Sequence, residues 1–215
     1  MKIRNRFCLD RGSSLFIMES VFKKGDSVAL LESVIIPLGT KMPEFTLKDP
    51  SGNEYKGSAL YGERGLLVVF TCNHCPYAIA VWPRLVRLTK YFKGMRVNAV
   101  AVNPNINPSF PDDSPENMKK KIKELGIDFP YLADETQQVA KTFKAQCTPD
   151  IYFFGKDKEL VYHGRIDDNW QDENKVTHEE LKEAVNNYAA GVPVSKKQYP
   201  SMGCSIKWRA DTFNG

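Results

Sequence analysis

No stretch of this chain approaches the roughly 18 consecutive apolar residues needed to cross a bilayer, so no membrane span is expected. Internal repeats are absent too, and one domain with elaborations accounts for the 215 residues. The net charge is only +4, which leaves no electrostatic footprint for nucleic acid. The lysines Lys119, Lys120, Lys121 and Lys123 lack interleaved aromatics and read as the solvent face of a helix. Histidine is scarce, and neither His163 nor His178 has a partner at metal-ligand spacing. The N-terminus carries Lys2, Arg4 and Arg6 but no intact apolar stretch behind them, because Cys8 to Gly12 interrupts it. The plain expectation is a cytoplasmic protein with a poorly specified leader, Met18 being an alternative start.

Five cysteines is an odd count at low density, and Cys8, Cys147 and Cys204 are scattered. A secreted domain held by disulfides would show an even, denser framework. The usage points to chemistry. Apolar residues make up 42% and charged residues 26% of the chain, ordinary values for a globular protein with a real core.

The informative stretch runs from Leu66 to Tyr77. Leu66 to Phe70 is a continuous apolar run of strand length, suited to a strand buried on both faces. Residues 78–93 then read as a helix, with Ile79, Val81, Trp82, Leu85, Val86 and Leu88 assigned inward and Arg84, Arg87 and Lys90 outward. Between them stand Cys72 and Cys75, so the Cys-x-x-Cys falls where a buried strand turns into a helix. Free N–H groups and the positive end of the helix dipole stabilise a thiolate there, and Pro76 fits the first turn. A Cys-x-x-Cys is also half of many zinc sites, but a second pair at similar spacing is missing. In the redox reading Cys72 is the exposed attacking thiol and Cys75, one turn in, is shielded and resolves. His74 either tunes the neighbouring thiolate or is an exposed first-turn residue.

Along the rest of the chain, residues 1–36 show no sustained period and are expected to form an extension. Residues 44–48 and 54–56 flank a turn as two short strands, and 96–103 is a second buried strand. Ser114 caps a helix over 116–125 that Gly126 closes. A short strand at 131–133 and a helix over 135–144 follow, then a hairpin of 151–154 and 160–165. The last helix spans 177–190, Thr177 and Glu180 forming a capping box. Parallel strands come first and an antiparallel edge pair after them, which makes an α/β sandwich over 37–191 with a tail, 192–215, packed on it.

Strand, Cys-x-x-Cys, helix, and Thr148-Pro149 before an antiparallel pair resemble the thioredoxin-like superfamily. Cys72 to Tyr77, Cys147 to Asp150, Gly164 to Asp168 and Gly203 to Trp208 resemble its peroxiredoxin-like redoxin (AhpC/TSA-related) branch. The resemblance covers about residues 37–208. It implies a three-layer sandwich with a mixed central sheet, helices on both faces and an N-terminal β-hairpin. It also implies a cis bond before Pro149, facing the dithiol and shaping a groove for the partner. The sequence departs from true peroxiredoxins: Thr71 directly precedes Cys72, so their Pro-x-x-x-Thr-x-x-Cys motif is absent.

The expected activity is thiol–disulfide exchange by Cys72 and Cys75, tuned or positioned by Asn73, His74, Thr148 and Pro149. The substrates are disulfide-containing proteins or small thiols, with a recycling reductase or thioredoxin system; no cofactor, resident metal, nucleic acid or membrane is called for. Cys147 reads either as a third thiol near Cys72, or a metal ligand, or as a small buried residue. Cys204 either folds back to the site or, the plainer reading, is a tail cysteine without contacts; Asp112, Asp113, Asp167 and Asp168 read as hard-cation ligands or, more plainly, as solvated loop residues. A thiol peroxidase and a metal-binding module using Cys72, Cys75, Cys147 and His74 are the competing readings.

Overall fold

Residues 30–209 are described by the structure, a computed structural model; the expectations placed on Lys2, Arg4, Arg6, Cys8 and Met18 lie outside them. Ten strands are present: β1 (Leu30–Glu32), β2 (Thr46–Lys48), β3 (Glu54–Lys56), β4 (Gly65–Phe70), β5 (Val97–Asn103), β6 (Tyr131–Ala133), β7 (Cys147–Thr148), β8 (Asp150–Gly155), β9 (Leu160–Gly164) and β10 (Met202–Ser205). Four helices join them: α1 (Pro76–Gly94), α2 (Pro115–Leu125), α3 (Gln138–Phe143) and α4 (Glu180–Ala189). None of the described helices is long and apolar enough to cross a membrane.

The central sheet is mixed, in the order β3-β2-β6-β5-β4-β8-β9. The Arg64 and Thr71 amides, flanking β4, donate to the carbonyls of Arg96 and Val102 at 3.0 and 2.9 Å, so β4 and β5 run parallel. β8 then pairs antiparallel to β4, and β9 to β8. The expected N-terminal hairpin is β2 with β3, Thr46 opposite Lys56. Strand alternation sends Leu67 and Val69 to one face and Leu66, Val68 and Phe70 to the other. The first face packs on Trp82 and Leu85 of α1, Met118 of α2 and Leu181 of α4; the second packs on Ala140 and Phe143 of α3. All five β4 side chains are buried, each contributing about 1.5–3 kcal/mol of apolar burial.

Three local expectations change. Gln137 adopts φ 61°, in the left-handed region, so α3 begins at Gln138 and not at Glu135. α4 begins at Glu180 without the Thr177 capping box, because the Asp168 carboxylate accepts from both the amide and the hydroxyl of Thr177. The buried stripe of α1 is Ala78, Val81, Trp82, Leu85, Thr89 and Phe92, which leaves Ile79 exposed and turns Arg84 inward.

The ends of the chain meet on one edge. β1, the last part of the expected extension, pairs with β10, and β10 pairs with β7. Ser33 reinforces this clamp: its amide donates to the Ser201 carbonyl and its hydroxyl accepts from the Ser201 amide, both at 2.9 Å. Thus 30–32 belong to the packed body, and the 192–209 tail returns to it.

Arg84 holds the segment after β9. One of its nitrogens donates to Asp167 at 2.6 Å and to the Asn169 carbonyl, and the other donates to the Trp170 carbonyl. Both ionic side chains are less than a tenth exposed. Asp167→Asn should therefore cost about 3 kcal/mol of unfolding free energy, since it leaves a buried guanidinium without its counter-charge. Urea denaturation reads this; a loss below about 1 kcal/mol would show that the carbonyls alone satisfy Arg84.

Candidate active site

The chain leaves β4 at Phe70 and enters α1 at Pro76, so Thr71 to Cys75 form the loop between them. Cys75 is the residue capping α1, in extended conformation (φ −70°, ψ 124°), and Pro76 takes the first helical position. A fully buried carboxylate holds this loop. Asp113 accepts the Asn73 amide at 2.6 Å and the Asn103 side-chain amide at 2.9 Å on one oxygen, and pairs with His74 Nδ1 through the other. Asn73 is clamped as well: its Nδ2 donates to the Asp112 carbonyl and its Oδ1 accepts from the Tyr131 hydroxyl. Its side chain thus serves the loop and is not turned toward a substrate. The His74 ring stacks on Phe110, centroids 4.9 Å apart, and its buried Nε2 has no hydrogen-bond partner among the described residues.

Opposite the loop lies Thr148-Pro149, whose peptide bond is cis. The Thr148 hydroxyl sits 3.3 Å from Cys72 Sγ, and its carbonyl accepts from Cys75 Sγ at 3.1 Å. The Trp82 indole N–H donates to the Cys72 carbonyl at 3.2 Å, tying the loop to the helix core. Cys72 is as buried as Cys75, both having no exposed surface, contrary to the expectation of an exposed first thiol. The cover includes β10, and the partly buried Tyr77 packs on the cysteine cluster and meets the Trp170 ring at a 39° tilt, centroids 4.0 Å apart.

Neighbouring residues of a strand point to opposite faces. Because Thr148 faces the dithiol, Cys147 turns away, its thiol directed at the carbonyls of Pro149 (3.6 Å) and Ser201 (3.9 Å). The third sulfur in contact with the pair is Cys204, which packs with Cys72, Cys75 and Ala78 in one buried cluster. β10 reaches this position because Gly203 lies flat on β7: a Cβ there would stand 2.1 Å from the Thr148 carbonyl oxygen. The Gly-Cys pair of the tail carried this signal, with the glycine giving the close approach and the cysteine the contact.

The three sulfurs differ electrostatically. Burial pushes the Cys72 thiol well up, reinforced by its hydrogen bond with Cys75 and the nearby Asp113 carboxylate. Burial also opposes ionisation of Cys75, but hydrogen bonds from the Cys204 and Cys72 thiols and the Ala78 and Cys204 amides outweigh it and pull that thiol well below its usual range. Cys204 is pushed up by its hydrogen bond to Cys75 and by burial. Hydrogen bonding thus favours ionisation of Cys75 over that of Cys72 or Cys204.

The ligand set Cys72, Cys75, Cys147 and His74 does not assemble, since Cys147 faces elsewhere. Among the described residues, Cys72, His74 and Asp113 bring ligand atoms within 4.8 Å of one another. Asp113 and Asp167 are structural carboxylates, not solvated ones, and Asp168 is occupied by Thr177. His163 is likewise buried, its Nε2 2.9 Å from Asp150 beneath β8.

A mixed sheet with helices on both faces and a Cys-x-x-Cys at the strand-to-helix junction defines a thioredoxin-like protein. The AhpC/TSA family model matches residues 38–163, and the chain belongs to that family. It is similar to the thiol-disulfide oxidoreductase ResA of Bacillus subtilis (strain 168), 25% identical over 123 residues, 57% of this chain and 64% of ResA. The chain thus spans a little under two thirds of that relative. An uncharacterized conserved protein of Geobacillus kaustophilus superposes with TM-score 0.80 at 43% identity, over 85% of this chain and 97% of that one. A secreted Mycobacterium tuberculosis disulfide oxidoreductase shares the fold, with TM-score 0.51 at 17% identity over 66% and 94% of the two chains.

Gly203→Val should lift β10 from β7 and raise the rate at which a maleimide labels Cys72 and Cys75 in the reduced protein at least about tenfold, because local opening then needs less free energy. Unchanged labelling would show that β10 is not the cover. A second outcome concerns alkaline pH. Burial also holds the Cys147 thiol above its ordinary value near 9, as it does Cys72, the contact with Cys75 together with burial does the same for Cys204, and burial keeps Tyr131 and Tyr152 above theirs near 10. The folded state keeps these protons where the unfolded chain releases them, so this stabilisation is whole below about pH 9 and is lost as pH rises further. Cys75 acts oppositely, and its contribution grows only up to the ordinary thiol value. The melting temperature of the reduced protein should fall between pH 9 and 10.5, less so in Cys147→Ala; a flat profile contradicts the assignment.

Proposed function

We propose that the chain is a thiol–disulfide oxidoreductase in which Cys72 attacks a substrate disulfide and Cys75 resolves the mixed disulfide. The observation that carries this reading is the pair of sulfurs held together at the start of α1 against Thr148, one favoured as thiolate and one as thiol. The cycle opens from the form in which Cys75 has given up its proton, and the Cys72 proton passes to it. The Cys72 thiolate, stabilised by the Thr148 hydroxyl, forms a bond to one substrate sulfur while the substrate S–S bond breaks. The sulfur that departs takes the proton from Cys75. Cys75, again a thiolate, attacks Cys72 and releases the second substrate sulfur as thiolate. Two protein thiols are thereby oxidised to one disulfide, and one substrate disulfide is reduced to two thiols.

Asn73 and His74, both tied to Asp113, fix the loop that carries the dithiol, and Thr148 and Pro149 face the position of the partner chain. The substrate is a disulfide-bearing protein or small thiol, and a reductase or thioredoxin system reopens the Cys72–Cys75 disulfide. Burial of both thiols requires the cover to part before a partner reaches them.

Cys72→Ser should lower disulfide reduction on the order of 10³-fold, and Cys75→Ser should accumulate mixed disulfides with substrate, both read by non-reducing electrophoresis and thiol release. Normal turnover by Cys75→Ser would reverse the assigned roles. Rapid, saturable consumption of hydrogen peroxide at low concentration would replace this reading with a peroxidase.

A further inference from the structure

Thiol–disulfide exchange proceeds with three sulfurs in play: the attacking sulfur, the sulfur attacked and the sulfur that leaves. The buried cluster holds that set. Cys72, Cys75 and Cys204 pack with Ala78 in one buried cluster, without exposed surface on Cys72 or Cys75. The placement of Cys204 is built into the fold. Its Cα stands in register with Thr148, the residue whose hydroxyl and carbonyl meet Cys72 and Cys75. Tyr77, in the first turn of α1, packs against the same cluster. Gly203 lets the strand lie close enough, and Ser33 with Ser201 pins the strand from its other side. Cys147, the other nearby cysteine, is turned away.

We infer that Cys204 is a third redox-active thiol, which exchanges with the Cys72–Cys75 disulfide to form a Cys75–Cys204 disulfide. The inference rests on the exchange reading given above. In the step, the Cys204 sulfur forms a bond to Cys75, the Cys72–Cys75 bond breaks, and the Cys204 proton passes to the departing Cys72. One disulfide replaces another, so neither an external oxidant nor an external reductant is consumed. Cys72 returns to the thiol state, and the oxidising equivalent moves to β10. The recycling thiol then meets a disulfide carried by the edge sheet β1-β10-β7, and reducing it frees Cys75 and Cys204 for the next substrate. Substrate and reductant are thereby assigned to different sulfurs of one site.

Trypsin makes the two disulfides distinguishable. Cys72 and Cys75 share the peptide 65–84, whereas Cys204 lies on 198–207, so only the second disulfide joins two peptides. The full chain is equilibrated in mixtures of reduced and oxidised glutathione, quenched with acid, alkylated and mapped without reduction, for the wild type and Cys72→Ser. The wild type should show both a closed 65–84 peptide and a 65–84/198–207 cross-link. Cys72→Ser should retain the cross-link, and adding Cys204→Ser should convert Cys75 to a glutathione adduct. Absence of the cross-link in the wild type and in Cys72→Ser overturns the inference, even if 65–84 closes normally. If 65–84 never closes while the cross-link forms in both proteins, the Cys72–Cys75 reading fails and the Cys75–Cys204 couple stands. The wild-type map needs no variant to fold, and circular dichroism checks the serine forms.

Discussion

A carboxylate taken out of water must be met by donors, and Asp113 is met by three: the Asn73 amide, the Asn103 side chain and the His74 ring. Two of these belong to the loop between β4 and α1, so satisfying the charge fixes the loop. The rest of the site inherits that geometry. With Asn73 and His74 held on Asp113, Cys72 is directed at the Thr148 hydroxyl and Cys75 at the start of α1. After burial and the contact with Cys75, the Asp113 carboxylate adds to what holds the Cys72 thiol up. One buried carboxylate thus shapes the loop and bears on its electrostatics.

The second constraint is cover. A dithiol at a strand-to-helix junction meets solvent unless something is laid across it, and here the strand β10 and the Tyr77–Trp170 pair do so. Burial protects the thiols from indiscriminate oxidation but raises the free energy of ionising them, an effect that hydrogen bonds outweigh at Cys75 alone among the described cysteines. The site therefore combines a charge-ready sulfur with a sealed entrance. Specificity then falls to whatever opens the seal, since the chemistry itself is common to all disulfides.

Much of this was legible in the chain and some was not. The apolar run Leu66 to Phe70, the Cys-x-x-Cys and the helix after it are local signals, and the structure has a buried strand, a loop and α1 there. Ser114 and Gly126 bound α2 as their residue types indicate. The errors were of range. Asp113 lies forty residues from Asn73, and nothing near it in sequence separates a loop acid in water from one buried under a cysteine loop. Arg84 looked like an outward cation until the Asp167 segment was brought over it. Thr177 looked like a cap until Asp168 engaged it. Cys204 was set aside because no period or spacing ties a tail residue to a distant dithiol; only the pairing of β10 with β7 does.

That pairing also bears on the order in which the site is assembled. β1 and β10 come from opposite ends of the described residues, and contacts of such sequence separation form late because the intervening loop must close first. During synthesis β4, α1 and the Cys72–Cys75 loop emerge well before β10. For that interval the dithiol has its helix but neither its cover nor its third sulfur. The nascent protein and the finished one accordingly present two different redox surfaces to the cell: an open dithiol first, and a sealed cluster of three sulfurs once the final strand is in place.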